Sequence, residues 1–273
     1  MMYCGSEPLL EQVWINLIDN AIKHSPKGSS IRIYISEKPK TVAVKVSDDG
    51  CGMTGEVQKH IFEKFYQGDR SHKAEASVKK SLEQEIAACN RESGLHIQLV
   101  TGEPKAFDGF MAHYGKFSGV TDYIALIGKK GADLDEQCGY YGERLVLLAQ
   151  KLGLNTCWVA MTFSKTKSAY EIGAGEKLCC VIALGYGKTQ GNGHKVKSVE
   201  ELCSVQGEMP KWFREGMEAA QLAPTAMNQQ KFCFALKDGR VTVTTKRGFY
   251  AKVDLGIARY HFEAVTGRET FRG

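Results

Sequence analysis

Asn16, Asn20 and Lys23 follow one another at four- and three-residue steps, which places their side chains on one face of a predicted helix. Amide oxygens are hard ligands of the kind that Mg²⁺ accepts. The same spacing is also typical of the solvated side of an ordinary amphipathic helix. The residues alone leave both interpretations open.

A second polar group lies near the other end of the chain, in the sequence A-P-T-A-M-N-Q-Q at 223–230. The amide of Asn228 has little structural reason to follow these small and apolar residues, although the turn at Pro224 could simply end a helix. Lys195 and Lys197 could attract an anion as point charges, or they could belong to a solvated loop.

The aromatic and imidazole side chains give weaker evidence for a functional site than these polar groups do. Trp158 lies in an apolar run, so it is explained equally well as a core residue or as part of a binding site. His96, His113 and His261 have no partner evident in the sequence, and we therefore predict no catalytic acid or base.

Residues 1–75 contain elements that could position the first polar group. Apolar residues recur at helical spacing in one stretch and alternate as in paired strands in two others. In chain order, the predicted elements are a helix at 8–24, strands at 31–35 and 42–46, a turn at 48–53 and a short helix that ends at 61–66.

The remaining residues, 76–273, mix helices with strands, so the predicted fold class is α+β with a mixed or mostly antiparallel sheet. Continuously apolar runs at 123–127 and 178–184 are typical of strands that are buried on both faces. The predicted elements are helices at 77–90, 138–152 and 210–222, and strands at 95–100, 123–127, 157–161, 178–184, 231–236 and 241–245.

Three motifs in the first 75 residues carry a resemblance to sensor histidine kinases. Their N, G1 and F boxes are similar, in order and spacing, to N-L-I-D-N-A-I-K-H-S, D-D-G-C-G-M and I-F-E-K-F-Y-Q-G-D. The resemblance implies part of an α/β-sandwich ATPase fold, with Asn20 near magnesium and phosphates and Asp48 accepting from the adenine amino group. The other residues implied in nucleotide binding are Asn16, Lys23, Gly50 and Gly52.

The same segment departs from the kinase pattern. No glycine box of G-x-G-L-G-L type follows Ser71 and His72, and no phosphoacceptor-histidine helices precede the N box. We therefore expect no phosphotransfer and predict a truncated ATPase fragment. ATP with Mg²⁺ stays an alternative ligand of the chain.

Three later segments are similar to a nitroreductase family whose chain carries two half-repeats. They are L-G-L-N-T-C-W-V-A-M, I-A-L-G-Y-G-K-T-Q-G-N-G-H-K-V-K-S-V-E-E-L and L-A-P-T-A-M-N-Q-Q-K-F, and the similarity extends over 76–269. It implies a nitroreductase-like fold in which one chain imitates the usual dimer, so a monomeric pseudo-dimer or a homodimer is expected. It also implies FMN-dependent transfer of a hydride from NADH or NADPH to a nitroaromatic or quinone acceptor.

This resemblance implies which residues bind FMN. A loop would line one side of the flavin ring and bond to its polar edge, an apolar run would pass near the opposite part, and two lysines would contact the phosphate. In that order, these residues are Pro224, Thr225, Ala226, Asn228 and Gln229; Trp158, Val159 and Ala160; and Lys195 and Lys197.

One element of the nitroreductase pattern is missing from the sequence. The family begins with a helix carrying an R-R-S-x-R motif that grips the FMN phosphate, and the ATPase-like fragment stands in its place. Charge-assisted hydrogen bonds contribute roughly 1.5 to 3 kcal/mol each, so losing several would weaken FMN binding by orders of magnitude. A non-catalytic chimera of two gene fragments, joined between residues 75 and 76, is therefore an alternative to an impaired oxidoreductase.

Composition restricts the other functions. The net charge is +5, and residues 1–75 hold ten basic and ten acidic residues, so the excess lies in the remainder. No basic stripe favours nucleic acid, and no apolar run reaches the roughly 18 residues that a membrane span requires. Nine cysteines without C-x-x-C spacing favour free thiols. We expect a cytoplasmic protein that binds neither nucleic acid nor membranes.

Overall fold

The chain divides into two compact units, Met1–Ser71 and His72–Gly273. The computed structural model describes residues 14, 17–18, 21–22, 25–26, 28–38, 41–50, 52, 71–107, 119–165, 169–187, 191 and 193–273. Within this part of the chain, no helix combines the length and the apolar composition needed to cross a membrane.

The first unit contains an antiparallel pair of strands, β1 (Arg32–Lys38) and β2 (Thr41–Ser47), whose register runs from Arg32 opposite Ser47 to Lys38 opposite Thr41. Both predicted strands are thereby confirmed. The predicted helix that ends at 61–66 lies outside the described residues. Within the predicted helix at 8–24, the described residues that are helical are Trp14, Leu17, Ile18, Ala21 and Ile22.

The second unit has the predicted mixture of helices and strands. Its elements are α1 (Ser71–Ser93), β3 (Gln98–Val100), β4 (Asp122–Lys129), α2 (Leu134–Lys151), β5 (Asn155–Val159), β6 (Glu176–Gly185), α3 (Val199–Leu202), β7 (Cys203–Val205), α4 (Lys211–Ala220), β8 (Phe232–Lys237), β9 (Arg240–Thr245), α5 (Ala251–Thr266) and β10 (Phe271–Arg272).

The first sheet of this unit has the strand order β3-β4-β6-β5, with every pair antiparallel. Ile124 and Leu126 of β4 pack towards α1 and α2, whereas Tyr123, Ala125 and Ile127 join a second apolar cluster. Alternate residues of a strand point to opposite faces, so both faces of β4 are buried. This burial is the physical reason for the continuous apolar run at 123–127.

The second sheet has the order β10-β9-β8-β7, in which the central pair β8-β9 is antiparallel and the two outer pairs are parallel. Its core is aromatic. The rings of Phe234 and Phe262 stack with centroids 4.9 Å apart, and Phe213 meets Phe262 edge to face at 5.5 Å. Together the two sheets confirm the predicted α+β class.

Helices α2 and α5 pack closely at two glycines. A Cβ atom at Gly139 would lie 2.0 Å from the carbonyl oxygen of Val253, and one at Gly256 would lie 2.0 Å from that of Glu136. Each helix therefore presents a glycine to the backbone of the other in a reciprocal contact. The two helices thus approach each other more closely at these positions than any residue with a side chain would allow.

Several elements end at residues other than the predicted ones, and three of the differences bear on the site or on the division of the chain. The strand predicted at 95–100 is reduced to β3, because the Asn90 side chain bonds both backbone groups of Ile97, at 2.8 and 2.9 Å. The strand predicted at 157–161 ends at Val159, and Met161 beyond it is 61% exposed. Helix α1 runs without a break across the predicted junction between residues 75 and 76.

Candidate functional site

A cavity of about 450 Å³ lies in the second unit, between the end of β5, the loop before β8 and the start of α5. Its lining includes six of the ten residues predicted to bind FMN. They are Trp158, Val159, Ala160, Pro224, Thr225 and Ala226. The fold thus brings together two segments that are far apart in the sequence.

The other walls come from residues that sequence reasoning did not single out. Phe249 and Tyr250 precede α5, and Val253, Asp254 and Ile257 lie on its first turns. Helix α5 was not predicted, although Val253, Ile257 and Phe262 have helical spacing. An acid within that apolar stretch was the available signal for Asp254.

The Ala226–Asn228 segment is a single 3₁₀ turn with unusual backbone angles. Met227 and Asn228 both have φ of 53°, and Gln230 has φ of 43°, in the left-handed region that most residues avoid. Hydrogen bonds offset this strain, since the Gln230 backbone N–H donates to Thr225 Oγ1 and its Nε2 donates to Asn228 Oδ1 at 2.8 Å. The surrounding contacts therefore fix the shape of the loop.

Asp254 ties this loop to α5. It is only 3% exposed, and its two carboxylate oxygens accept from the Ala226 backbone N–H at 2.9 Å and from Gln229 Nε2 at 2.7 Å. Burial raises the pKa of the Asp254 carboxyl, while these two hydrogen bonds act in the opposite direction. The carboxylate thus positions the cavity wall at Ala226.

The amides of Asn228 and Gln229 bond to the protein itself. Asn228 Nδ2 donates to the Lys195 carbonyl at 2.9 Å, and Gln229 Nε2 donates to the Phe249 carbonyl at 2.6 Å. Neither residue is part of the cavity lining as the described residues define it. Their predicted hydrogen bonds to a flavin ring stay a prediction.

The two lysines contact the same loop but are not in the cavity lining formed by the described residues. Lys197 is half-buried, and its Nζ donates to the carbonyls of Gln229 and Gln230 at 3.2 and 2.9 Å. The side chain of Lys195 is exposed. Lys197 thus supports the loop backbone, and phosphate binding by either lysine stays a prediction.

Trp158 is both a core residue and a cavity residue. Its Nε1 donates to Glu143 Oε2 at 3.2 Å, and the other oxygen of this buried carboxylate lies 2.9 Å from His261 Nε2. A Cβ at Gly142 would meet the Trp158 ring at 2.4 Å, so the helix carries a glycine where the indole packs. The structure supplies the partner of His261 that the sequence did not show.

The other two histidines differ in what the structure shows of them. His96 Nδ1 lies 2.9 Å from Glu176 Oε2, at the start of β6. His113 lies outside the described residues.

In the first unit, Asp48 Oδ1 accepts from the Gly50 backbone N–H at 2.8 Å in the turn after β2. Gly52 has φ of 69°, which favours glycine. The predicted nucleotide and magnesium ligands Asn16, Asn20 and Lys23 lie outside the described residues, so the nucleotide site stays a prediction.

Two family models match the chain. The model "Putative TM nitroreductase" matches residues 58–266, and the model of histidine kinase-, DNA gyrase B- and HSP90-like ATPases matches residues 5–91. The two matches overlap at 58–91, which includes most of α1. A nitroreductase match thus covers most of the chain, and an ATPase match covers its first third.

The curated relatives are sensor proteins that match over short stretches. Heme sensor protein HssS of Staphylococcus saprophyticus is 38% identical over 81 residues, 29% of this chain and 18% of that protein. Sensor protein KdpD of Clostridium acetobutylicum is 48% identical over 58 residues, 21% of this chain and 6% of that protein. The chain spans less than a fifth of the length of either relative.

Among solved structures, a protein of Thermotoga maritima described as a nitroreductase aligns with a TM-score of 0.49 at 20% identity. The alignment covers 76% of this chain and 80% of that one.

Proposed function

Because the chain belongs to the TM nitroreductase family, whose model spans residues 58–266, we propose that it is an FMN-dependent NAD(P)H oxidoreductase of nitroreductase type. The observation that carries this proposal is the cavity lined by both 158–160 and 224–226. When bound, FMN supplies hydride transfer from NADH or NADPH to a nitroaromatic or quinone acceptor.

The cavity residues suit a planar aromatic ring. Trp158, Phe249 and Tyr250 offer aromatic surface, and Val159 and Ile257 add apolar walls that exclude water. Asp254 and Gln229 hold the Ala226 wall in place, so the ring would meet a shape that exists before binding. These residues bind and orient, and we propose no protein acid or base for the reaction.

The chain offers fewer residues for the phosphate group of FMN than for its ring. We propose Lys195 as its cationic partner, because its side chain is exposed beside the loop, whereas the Lys197 ammonium already bonds two carbonyls. The R-R-S-x-R motif is missing from the sequence. We therefore expect FMN affinity to come mainly from the ring, and an oxidoreductase that is weakened rather than fully equipped.

The ATPase-like match at 5–91 supports a second candidate, an ATP-binding remnant. Asp48 and its bonded turn are the described part of that site. We propose a division of the chain near residue 75, with residues 1–75 as the truncated ATPase fragment. Titration with an ATP analogue and Mg²⁺ tests the candidate, and binding that does not saturate would remove it.

Partners and compartment belong to the same proposal. The expected partner is a small electron acceptor, and the two half-repeats favour a monomeric pseudo-dimer, with a homodimer as the alternative. The described cysteines are all free thiols, which supports a reducing, cytoplasmic compartment.

An absorbance scan tests the main proposal. The purified protein is scanned before and after incubation with excess FMN and desalting. A retained flavin band at roughly 450 nm is the expected result, since that band belongs to the flavin itself. A protein that is folded by circular dichroism but retains no flavin would contradict the proposal and favour the non-catalytic chimera.

A further inference from the structure

Three cysteines meet beside the cavity. Cys138 of α2 and Cys180 of β6 are buried in one apolar cluster, at 0% and 2% exposure, and Cys179 packs half-buried against the same cluster. The strand register explains the arrangement, because Leu126 pairs with Cys180 and Ile127 pairs with Leu178. Cys179 is therefore the extra residue of a β-bulge, a distortion that re-aims side chains next to functional sites.

Cys179 is the thiol of this cluster that peroxide can reach, because it is half-buried whereas Cys138 and Cys180 are buried. The neighbouring thiols of Cys138 and Cys180 lower the pKa of Cys179, whereas burial and the Asp135 carboxylate raise it. Asp135 lies one helical turn before Cys138 on α2, and its Oδ1 accepts from the Cys179 thiol at 3.6 Å, so Cys179 faces the side of α2 that carries Cys138. Lys177 Nζ lies 3.5 Å from the same carboxylate and offsets its charge.

We propose that Cys179 and Cys138 form a peroxide-sensitive dithiol, in which Cys179 is the attacking residue and Cys138 the resolving one. The Cys179 thiolate attacks one oxygen of hydrogen peroxide, the O–O bond breaks, and the hydroxide released takes a proton to become water. The Cys138 sulfur then attacks the sulfur of the sulfenic acid at Cys179, the S–O bond breaks, and the hydroxyl group leaves with the Cys138 thiol proton as a second water. The product is a Cys138–Cys179 disulfide, and peroxide is the oxidant that is reduced.

Geometry selects Cys138 over Cys180 as the resolving residue. Consecutive Cα atoms across a trans peptide are about 3.8 Å apart, which is shorter than the roughly 4.4 to 6.8 Å that disulfides span. The described residues contain no cis peptide. A bond between Cys179 and Cys180 would therefore need a distorted backbone, whereas Cys138 approaches from a different element.

The dithiol is connected to the cavity wall. The hydroxyl of Tyr250 donates to the Cys179 carbonyl at 3.1 Å, and both Tyr250 and Cys180 line the cavity. Closing the disulfide would shift the bulge and, through Tyr250, that wall. The proposed disulfide does not require a flavin in the cavity.

Peptide mapping of the full-length protein tests the proposal. The protein is treated with a small excess of hydrogen peroxide, remaining thiols are alkylated in denaturant, and the chain is cut with trypsin. Cleavage after lysine and arginine places Cys138 in peptide 131–144 and both Cys179 and Cys180 in peptide 178–188. The expected product is a link between these two peptides that dithiothreitol removes.

Variants assign the link. The link between the two peptides should persist in Cys180→Ser and in Cys203→Ser. Cys203 is a half-buried thiol of the second sheet, so its variant serves as the matched control. The link should disappear in Cys179→Ser and Cys138→Ser. In the untreated wild-type protein, iodoacetamide should label Cys179 at least about tenfold faster than Cys203, and urea should abolish that difference.

Two results would overturn the inference. One is a folded wild-type protein that yields no linked peptides after peroxide treatment. The other is equal labelling rates for Cys179 and Cys203 in the folded protein. Neither measurement depends on flavin or on enzyme activity.

Discussion

Asp48 and Asp254 make almost the same contact in the two units of the chain. Each accepts a backbone N–H, from Gly50 at 2.8 Å and from Ala226 at 2.9 Å. Asp48 is exposed, however, whereas Asp254 is 3% exposed. Water can replace the first hydrogen bond but not the second, so burial decides how much each bond contributes.

The same contrast holds for apolar residues of the two units. Ile33, Tyr34 and Ile35 of β1 are 50%, 53% and 72% exposed, whereas Ile124 and Leu126 of β4 are fully buried. Both segments were correctly predicted as strands. Strand formation follows from local spacing, but the free energy gained depends on what covers the side chains.

The sharpest test of this contrast exchanges one large apolar side chain in each unit for alanine. Phe262→Ala should lower the free energy of unfolding by about 3 to 5 kcal/mol, because it empties the aromatic core. Ile35→Ala, at a residue that is 72% exposed, should change it by less than about 0.5 kcal/mol. Urea denaturation measures both, and equal losses would contradict the contrast.

The aspartates give the next largest difference. Asp254→Ala should lower the free energy of unfolding by about 1 to 3 kcal/mol, because it removes the carboxylate that accepts from the Ala226 N–H and the Gln229 amide. It should also weaken retention of flavin, if the proposed function holds, because the loop loses its tie to α5. Asp48→Ala should leave urea denaturation and flavin retention unchanged. A harmless Asp254→Ala would show that the loop holds its shape without the carboxylate.

The two lysines separate loop support from phosphate binding. Lys197→Ala should reduce the unfolding free energy by about 1 kcal/mol, because its ammonium bonds two carbonyls. Lys195→Ala should leave stability unchanged but weaken FMN binding several-fold, with less effect at high salt. Riboflavin, which lacks the phosphate, serves as the control ligand. Equal weakening of FMN and riboflavin by Lys195→Ala would rule out the phosphate contact.

The smallest expected effect is a pH dependence at the edge of the first sheet. The hydrogen bond to His96, with a smaller contribution from that of the Gly173 N–H, holds the pKa of the Glu176 carboxyl below its usual range. The pair therefore stabilises the fold above the ordinary glutamate pKa, and this contribution is lost as pH falls through the lowered value. The free energy of unfolding of the wild type should exceed that of Glu176→Gln by less than about 1 kcal/mol near neutral pH. In acid the difference should be smaller still, and urea denaturation at both pH values measures it. A difference in unfolding free energy that grows as pH falls would contradict a lowered pKa of Glu176.

Local patterns in the sequence predicted much of the fold and part of the site. The strands at 31–35, 42–46 and 123–127 and the helix at 138–152 were found because their spacing depends on residues two to four positions apart. Helix α5 was missed although its spacing was present, and β3 was overestimated because the Asn90 side chain takes the backbone bonds of Ile97.

The sequence by itself determined the local elements and the two family resemblances, because spacing and motifs are properties of neighbouring residues. Tertiary structure alone decided that 158–160 and 224–226 line one cavity, that Asp254 is buried beneath it, and that Cys138 meets Cys179. The physical reason is that these contacts depend on strand order, on the close approach of α2 and α5, and on a bulge in β6. Each joins residues that are distant in the chain, where local periodicity carries no information.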